Sequence, residues 1–361
     1  MRPALLLLIP VAFASAFGLS RLFRGGAKEG TAPPKAPAVP LATQLPEPAR
    51  PSGEPGEASA QPREASGRRE AVASEASAGA DAGEEVAAAA LAGGNPGPAE
   101  ALLRSDPQGS RRKARVALAG SLAESRRGSG DLPGAAKALV GQLEGMAIAR
   151  APYAEMRPVA QALDALNREL VFNPAGGWRS EKVVVEKGDS WHRLAKRFAA
   201  ARGVQHGVGM LRAVNRKSGD LLVPGEPLRF PLDPVRIAVH RESFAAFAYL
   251  GEVIVRVYPI GIGREDAETP SGKFTIGEKV ADPIWWKPKP PIPAGDPRNP
   301  LGARWLGFRQ EGRTIPYGIH GTEREDAVGG RVSEGCIRLH NRDVEELFDL
   351  VPDSGTPVEV F

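Results

Sequence analysis

Apolar positions along this chain recur with a period that changes at recognisable punctuation. Between residues 96 and 172 they fall three and four apart, as in Leu118 and Leu122, then Leu163, Leu166 and Leu170, which is the spacing of a helix face. Gly130, Pro133 and Pro152 divide this region into Ala99–Arg104, Ser110–Arg127, Pro133–Ala149 and Pro152–Phe172, predicting three or four short antiparallel helices. No cluster of polar residues marks a site there, so a small spacer bundle is favoured over a module that docks a partner or scaffold. Residues 181–232 switch pattern twice. A strand over Lys182–Val185 leads to a Gly-Asp turn, and Asp189 or Ser190 can cap a helix with Leu194, Ala195 and Phe198 on its apolar face. Met210, Leu211 and Val214 mark a second helix, and Pro224-Gly225 turns into a return strand at Pro227–Phe230. From Val235 onward strands dominate: Val235–Val239, Ser243–Leu250, and Val253–Ile260 with Val253, Val255 and Val257 alternating, as in a half-buried antiparallel sheet. Thr269 to Gly272 makes a turn before a strand beginning at Lys273–Ile276. Residues 281–300 hold seven prolines, which oppose regular structure. Asn341–Val351 returns to helical spacing through Val344, Leu347, Phe348 and Leu350, and a last strand runs over Pro357–Phe361.

The first hundred residues carry no such signal of a core. Residues 1–24 begin with Arg2, hold an apolar run of sixteen residues from Ala4 to Leu19, and continue with Arg21 and Arg24. That run is short for a spanning helix, which needs ~20 residues, and suits an export signal. Ala14-Ser15-Ala16 offers a cleavage site, whereas the following basic residues suit an uncleaved membrane anchor. The segment therefore predicts export to the periplasm or cell envelope, with cleavage and anchoring both open. Residues 25–95 are dominated by Ala, Pro, Gly, Glu and Ser without aromatics. Such a segment buries too little apolar surface to offset chain entropy and is expected to be a disordered tether, with helix propensity in Ala71–Ala92.

Composition narrows the function classes. The chain has 361 residues, a formal charge of +4 and one cysteine. It is long enough for several domains. The mild basic excess, with no helix-turn-helix or zinc-finger pattern, gives no argument for a nucleic-acid partner. A single Cys excludes an internal disulfide and a Cys-based metal site, and the five His show no paired ligand spacing, so neither metal nor cofactor is expected.

The lone Cys336 lies sixteen positions after His320, within YGIHGTEREDAVGGRVSEGCIRLHN, Tyr317 to Asn341. Acyl chemistry needs a thiolate, a base to generate it and N–H groups for the oxyanion. The two residues cannot meet on one helical turn. They meet if a strand ending at His320 lies beside the turn carrying Cys336, with Ile319 and Ile337 facing the core. Gly335 lets the backbone approach a substrate and aims its own amide and that of Cys336 at one point. An adjacent imidazole should lower the thiol pKa. The alternative on the pair alone is a buried structural Cys beside an unrelated His. His340 is a lesser candidate base, and His192 and His206 read as surface or loop residues.

The words around the pair resemble the signature of the YkuD-family L,D-transpeptidase catalytic domain. HGT at His320 is followed by S-x-G-C-I-R-L through Cys336, and YPIGIG (Tyr258–Gly263), TPSGKFTI (Thr269–Ile276) and NPLGARWLGF (Asn299–Phe308) precede them in order. The likeness covers Val235–Phe361. It implies Cys336 as nucleophile, His320 as general base, Gly335 with the oxyanion, and the Gly321 carbonyl orienting the imidazole. Ser333, Arg338, Tyr317, Trp285 and Trp286 would contact substrate, with one of the two tryptophans anchoring its loop and the other gripping the peptide. Glu334 stands where the family often has His. Residues 181–232, through Gly188–Ser190, Leu194-Ala195, Asn215 and VPGEPLRFP, resemble a LysM module, with Trp191 where Leu is common.

Together these resemblances imply a multidomain α+β chain: a mainly-β catalytic domain, a βααβ module that binds peptidoglycan glycan strands, a short helical bundle and a disordered N-terminal linker. They imply a cysteinyl thioester formed on a tetrapeptide stem donor and resolved by a second stem to give a 3-3 crosslink. Resolution by water, as in an L,D-carboxypeptidase, resolution by a protein amine, and a non-catalytic peptidoglycan-binding scaffold are the competing readings.

Overall fold

The computed structural model of the chain describes residues 84–105 and 112–361. The expectations for residues 1–24 and for 25–83 lie outside the described residues. Among those described, no helix is long and apolar enough to cross a membrane.

A helix over 84–92 (α1) falls within the stretch that composition assigns to the tether. Its Ala87 and Leu91 are buried in the main core, so folded chain begins earlier than the low-complexity composition predicts. Four helices follow: α2 (Gly97–Ser105), α3 (Arg112–Gly128), α4 (Leu132–Ile148) and α5 (Tyr153–Leu170). The Asp131 side chain caps α4 by accepting the Gly134 N–H at 2.9 Å, with Pro133 in the first turn, a position where proline's missing donor is harmless. Leu122, Leu139, Leu143 and Leu163 belong to the same apolar core as the strands from Val235 onward. The helices are therefore not a free spacer. Helix α5 covers the sheet's edge, and buried Asn167 Nδ2 donates to the Ile254 carbonyl on the edge strand at 2.9 Å, satisfying a group that an open edge would leave bare.

The next unit is β1 (Ser180–Val184), α6 (Trp191–Arg202), α7 (Val208–Val214) and β2 (Pro227–Pro231), with β1 and β2 antiparallel. Ser190 Oγ caps α6 at the Arg193 N–H, and Gly203 ends it at φ 71°, a left-handed turn that glycine allows without strain. Trp191, Leu194, Phe198, Leu211, Leu228 and Phe230 form a second, separate core. His206 lies in a loop, as the sequence allows, but not at the surface. It is buried, with Nε2 2.8 Å from the Pro231 carbonyl, because the loop before α7 turns inward under β2. His192 is exposed as anticipated.

The remaining chain forms β3 (Val235–His240), β4 (Ala245–Leu250), β5 (Val253–Pro259), β6 (Ile262–Gly263), β7 (Gly272–Ala281), β8 (Arg304–Gln310), β9 (Arg313–His320), β10 (Arg331–Ser333), β11 (Ile337–Arg338), α8 (Asn341–Leu350) and β12 (Pro357–Val360). Eight strands make one sheet in the order β11-β9-β8-β7-β12-β3-β4-β5, and β6 pairs with β10 in a small parallel ladder. The β11–β9 and β12–β3 pairings are parallel, the rest antiparallel. Helix α8 leaves the end of β11 and buries Val344, Leu347 and Leu350. The α6–α7 loop packs on its far end so closely that a Cβ on Gly207 would sit 2.4 Å from the Asp349 carbonyl oxygen.

Candidate active site

The β9–β11 ladder sets the segments that carry Cys336 and His320 side by side. Ile337 lies beside Ile319 and Arg338 beside His320, which places Cys336 next to Gly318. Both isoleucines are fully buried and fix this register, since a slip by one residue would turn them outward. The strand ending at His320 and the turn carrying Cys336 thus run side by side.

That turn is tied by one hydroxyl. Ser333 Oγ donates to the Cys336 carbonyl at 2.5 Å and accepts the Gly335 N–H at 3.1 Å. Ser333 is almost completely buried, so it builds the turn rather than facing a substrate. The Gly335 amide is likewise taken, which removes one of the two amides expected at the oxyanion. Gly335 sits at φ 107°, and a Cβ there would lie 2.6 Å from the Tyr317 ring. Tyr317 therefore floors the turn from below, and glycine is required above it for both reasons.

His320 is 4 % exposed. Its Nδ1 lies 2.7 Å from the Gly321 carbonyl; a carbonyl only accepts, so the proton is on Nδ1 and Nε2 carries the lone pair. Burial, seconded by the Arg338 charge, lowers its pKa to about 4, while the carbonyls of Gly321 and Pro300 pull the other way. The ring is therefore neutral at pH 7. The Trp305 ring lies beside it, centroids 5.8 Å apart and tilted 31°. Trp305 fits because it lies over glycines: a Cβ on Gly307 or Gly318 would come within 3 Å of the indole.

Asn341, the first residue of α8, clamps the loops beside His320. Its Oδ1 accepts the Ala303 N–H at 2.9 Å and the Thr322 N–H at 3.3 Å, and its Nδ2 donates to the Thr322 carbonyl at 2.7 Å. A Cβ on Gly302 or Gly321 would collide with that Oδ1. Asn341 and Trp305 were missed as site residues. The signals were present: the asparagine closes the Cys motif, and the tryptophan's strand and its neighbour carry glycines at the paired positions 307 and 318. His340 points away from the base role, 3.5 Å from Glu325.

Cys336 is half-buried and reduced. Its Sγ lies 3.8 Å from the Pro316 carbonyl and accepts a hydrogen bond from the Gly318 backbone; the sulfur's hydrogen bonds go to these groups, not to His320. Burial pushes the thiol pKa up, against the lowering influence of the Gly318 N–H, Arg338 and Lys287. This reverses the expected depressed thiol: His320 is neutral and desolvation prevails. The resting pair is thiol and neutral imidazole.

Arg338 forms the side of the site, 3.8 Å from Glu323. The Pro-rich segment 282–300 forms a loop over it, pinned by buried Asn299, whose Nδ2 donates to the Pro283 and Pro293 carbonyls at 2.8 and 3.1 Å. Trp285 is half-buried and its backbone pairs with Ile292, while Trp286 is 68 % exposed. One tryptophan anchors and the other faces solvent. Lys287, next in the loop, reaches the Cys turn and holds Glu334 at 2.6 Å.

A family model described as the L,D-transpeptidase catalytic domain, YkuD, matches residues 234–360. The chain is similar to L,D-transpeptidase YqjB of Bacillus subtilis, 38 % identical over 37 % of this chain and 71 % of that protein. It is similar to L,D-transpeptidase YkuD of Bacillus licheniformis, 34 % identical over 49 % of this chain and 96 % of that one. With L,D-transpeptidase YcfS of Escherichia coli it shares 32 % identity over 56 % of this chain and 69 % of that protein. Among solved structures, the NMR structure of the catalytic domain from the E. faecium L,D-transpeptidase matches at 26 % identity and TM-score 0.29, over 36 % of this chain and 98 % of that one.

Proposed function

The chain belongs to the YkuD family of L,D-transpeptidases, and we propose that it crosslinks peptidoglycan stems through a thioester on Cys336. The observation that carries this reading is the β9–β11 register, which sets the sulfur beside the strand whose last residue is a neutral, oriented imidazole. His320 Nε2 takes the thiol proton as sulfur attacks the carbonyl of the third residue of a tetrapeptide stem. The oxyanion meets the Cys336 N–H, with the Gly318 N–H close by at the sulfur. The proton then passes to the departing D-alanine amine, the C–N bond breaks, and a thioester remains. A side-chain amine of a second stem attacks it, forming a C–N bond as the C–S bond breaks, and the proton the amine loses passes through His320 to the sulfur. Splitting the exchange into two steps avoids any need for metal or ATP. Arg338 and Trp286 border the substrate's path.

The βααβ unit, with its LysM-like plan, is assigned to glycan strands rich in N-acetylglucosamine. The N-terminal segment is assigned to export, which places the enzyme in the periplasm or cell envelope. The direct test is incubation of the full chain with disaccharide tetrapeptide and mass spectrometry of the products. A dimer lacking one D-alanine supports transpeptidation; tripeptide alone supports hydrolysis of the same thioester; unchanged substrate contradicts the reading.

A further inference from the structure

Glu334 has no place in the chemistry above, and its position works against it. It lies two residues before the nucleophile, on a turn that Ser333 holds rigid. Its carboxylate opposes formation of the Cys336 thiolate, where Lys287 and Arg338 favour it. An anion at this point therefore hinders the first half-reaction. It becomes useful in the second, when the incoming reactant is a cation.

Among the described residues, its one direct ionic partner is replaceable. Lys287 holds Glu334 at 2.6 Å, but the two side chains are 69 % and 65 % exposed. An ion pair so open to solvent is weak and exchanges partners readily. The other nearby cations are engaged: Arg264 with Asp266 at 3.1 Å and Arg338 with Glu323 at 3.8 Å. Lys287 is thus a primary ammonium resting on the carboxylate that acts on the sulfur, in the place where another primary ammonium would bind.

Building on the transpeptidase reading, we propose that Glu334 is the docking point for the acceptor's side-chain ammonium, which displaces Lys287 from it. The ammonium arrives paired with the carboxylate and loses one proton to solvent. The neutral amine keeps one N–H on Glu334 while its lone pair faces the thioester. As the C–N bond forms and the C–S bond breaks, the second amine proton passes to His320 and on to the sulfur. Water, having no positive charge, gains nothing from Glu334, so the carboxylate biases the thioester toward the amine.

The test reads the ratio of crosslinked dimer to tripeptide, both products of one thioester, so differences in acylation cancel. The probe is disaccharide tetrapeptide carrying meso-diaminopimelate, as donor and acceptor. In Glu334→Gln the ratio falls about threefold, as for loss of a solvent-exposed charge pair. The double variant Lys287→Glu with Glu334→Lys keeps an ion pair across the same gap but places a cation on the turn, and the ratio stays low. A parental ratio in Glu334→Gln, or its recovery in the charge-swapped pair, overturns the proposal, the latter by reducing the pair to a loop latch. Absence of any product from the parent chain overturns the transpeptidase reading itself, and the subsite with it.

Discussion

The two walls of the site are built on opposite principles. On the His320 side nearly every polar group is already satisfied: the ring is bonded to the Gly321 carbonyl, and Asn341 fills the space between Gly302, Gly321 and Thr322. On the Cys336 side the sulfur is half-buried, its turn ends in an exposed carboxylate, and the facing loop carries Trp286 and Lys287 into solvent. The difference teaches where rigidity is needed. On the proposed reading, a base must present one nitrogen in one orientation before substrate arrives, whereas the sulfur and its surroundings must admit two different stems in turn. Burial serves the first by keeping the imidazole neutral, and it pushes the thiol pKa up, so the proposed reaction needs that imidazole to remove the thiol's proton.

The comparison breaks most completely at the sulfur. Cys336→Ala should abolish dimer formation, a loss of at least about 10⁴-fold for removing a covalent nucleophile, while sacculus binding in a sedimentation assay persists. Retained turnover would place the nucleophile elsewhere. Gly335→Ala should follow, because its φ of 107° and the Tyr317 ring 2.6 Å from a new Cβ both oppose it. Strain of about 1–3 kcal/mol at that turn should lower the melting temperature and cut acylation about a hundredfold. Unchanged acylation would mean that the turn tolerates rearrangement.

On the opposite wall, Asn341→Ala removes the clamp without touching either reactive atom. We expect acylation to slow about tenfold, with acceptor partitioning unaltered, read by stopped-flow acylation alongside product ratios. An equal loss in both readouts would indicate a collapsed site instead. The smallest effect concerns stability against pH. The folded state holds His320 neutral down to about pH 4, so between its ordinary pKa near 6.5 and about 4 the unfolded chain binds the extra proton. Stability from this group is complete above about pH 6.5 and declines as pH falls toward 4, by up to about 3 kcal/mol. His320→Gln should flatten that part of the stability curve, measured by denaturant titration at each pH. His240, also held near pKa 4 by burial, supplies a decline that remains in the variant.

The same contrast governs how much was legible in the sequence. Alternation placed β5, since Val253, Val255 and Val257 repeat on one face, and helical spacing placed α8 and the two helices of the βααβ unit. Local periods report on burial, and burial was strong there. The side-by-side segments that carry His320 and Cys336 were legible because Gly and Ile punctuate both. What stayed hidden depends on partners far along the chain. The core burial of Ala87 and Leu91 is supplied by helices after them. The inward turn of His206 needs the Pro231 carbonyl. Ser333 resembles a substrate contact until its two bonds within the turn are seen, and the raised Cys336 pKa follows from desolvation that no motif encodes. Asn299 organises a segment whose prolines suggested only irregularity.

The central claim is that a thiol of raised pKa reacts because a neutral imidazole takes its proton. It is tested most directly by the pH dependence of acylation by a carbapenem, followed by intact mass, in the parent chain and in His320→Gln. The parent rate should be nearly level through neutral pH and fall as pH drops toward 4, where the imidazole protonates. The variant should be slower at pH 7 and rise about tenfold per pH unit into the alkaline range, because only spontaneous thiolate reacts. Parallel profiles in the two proteins would contradict the account.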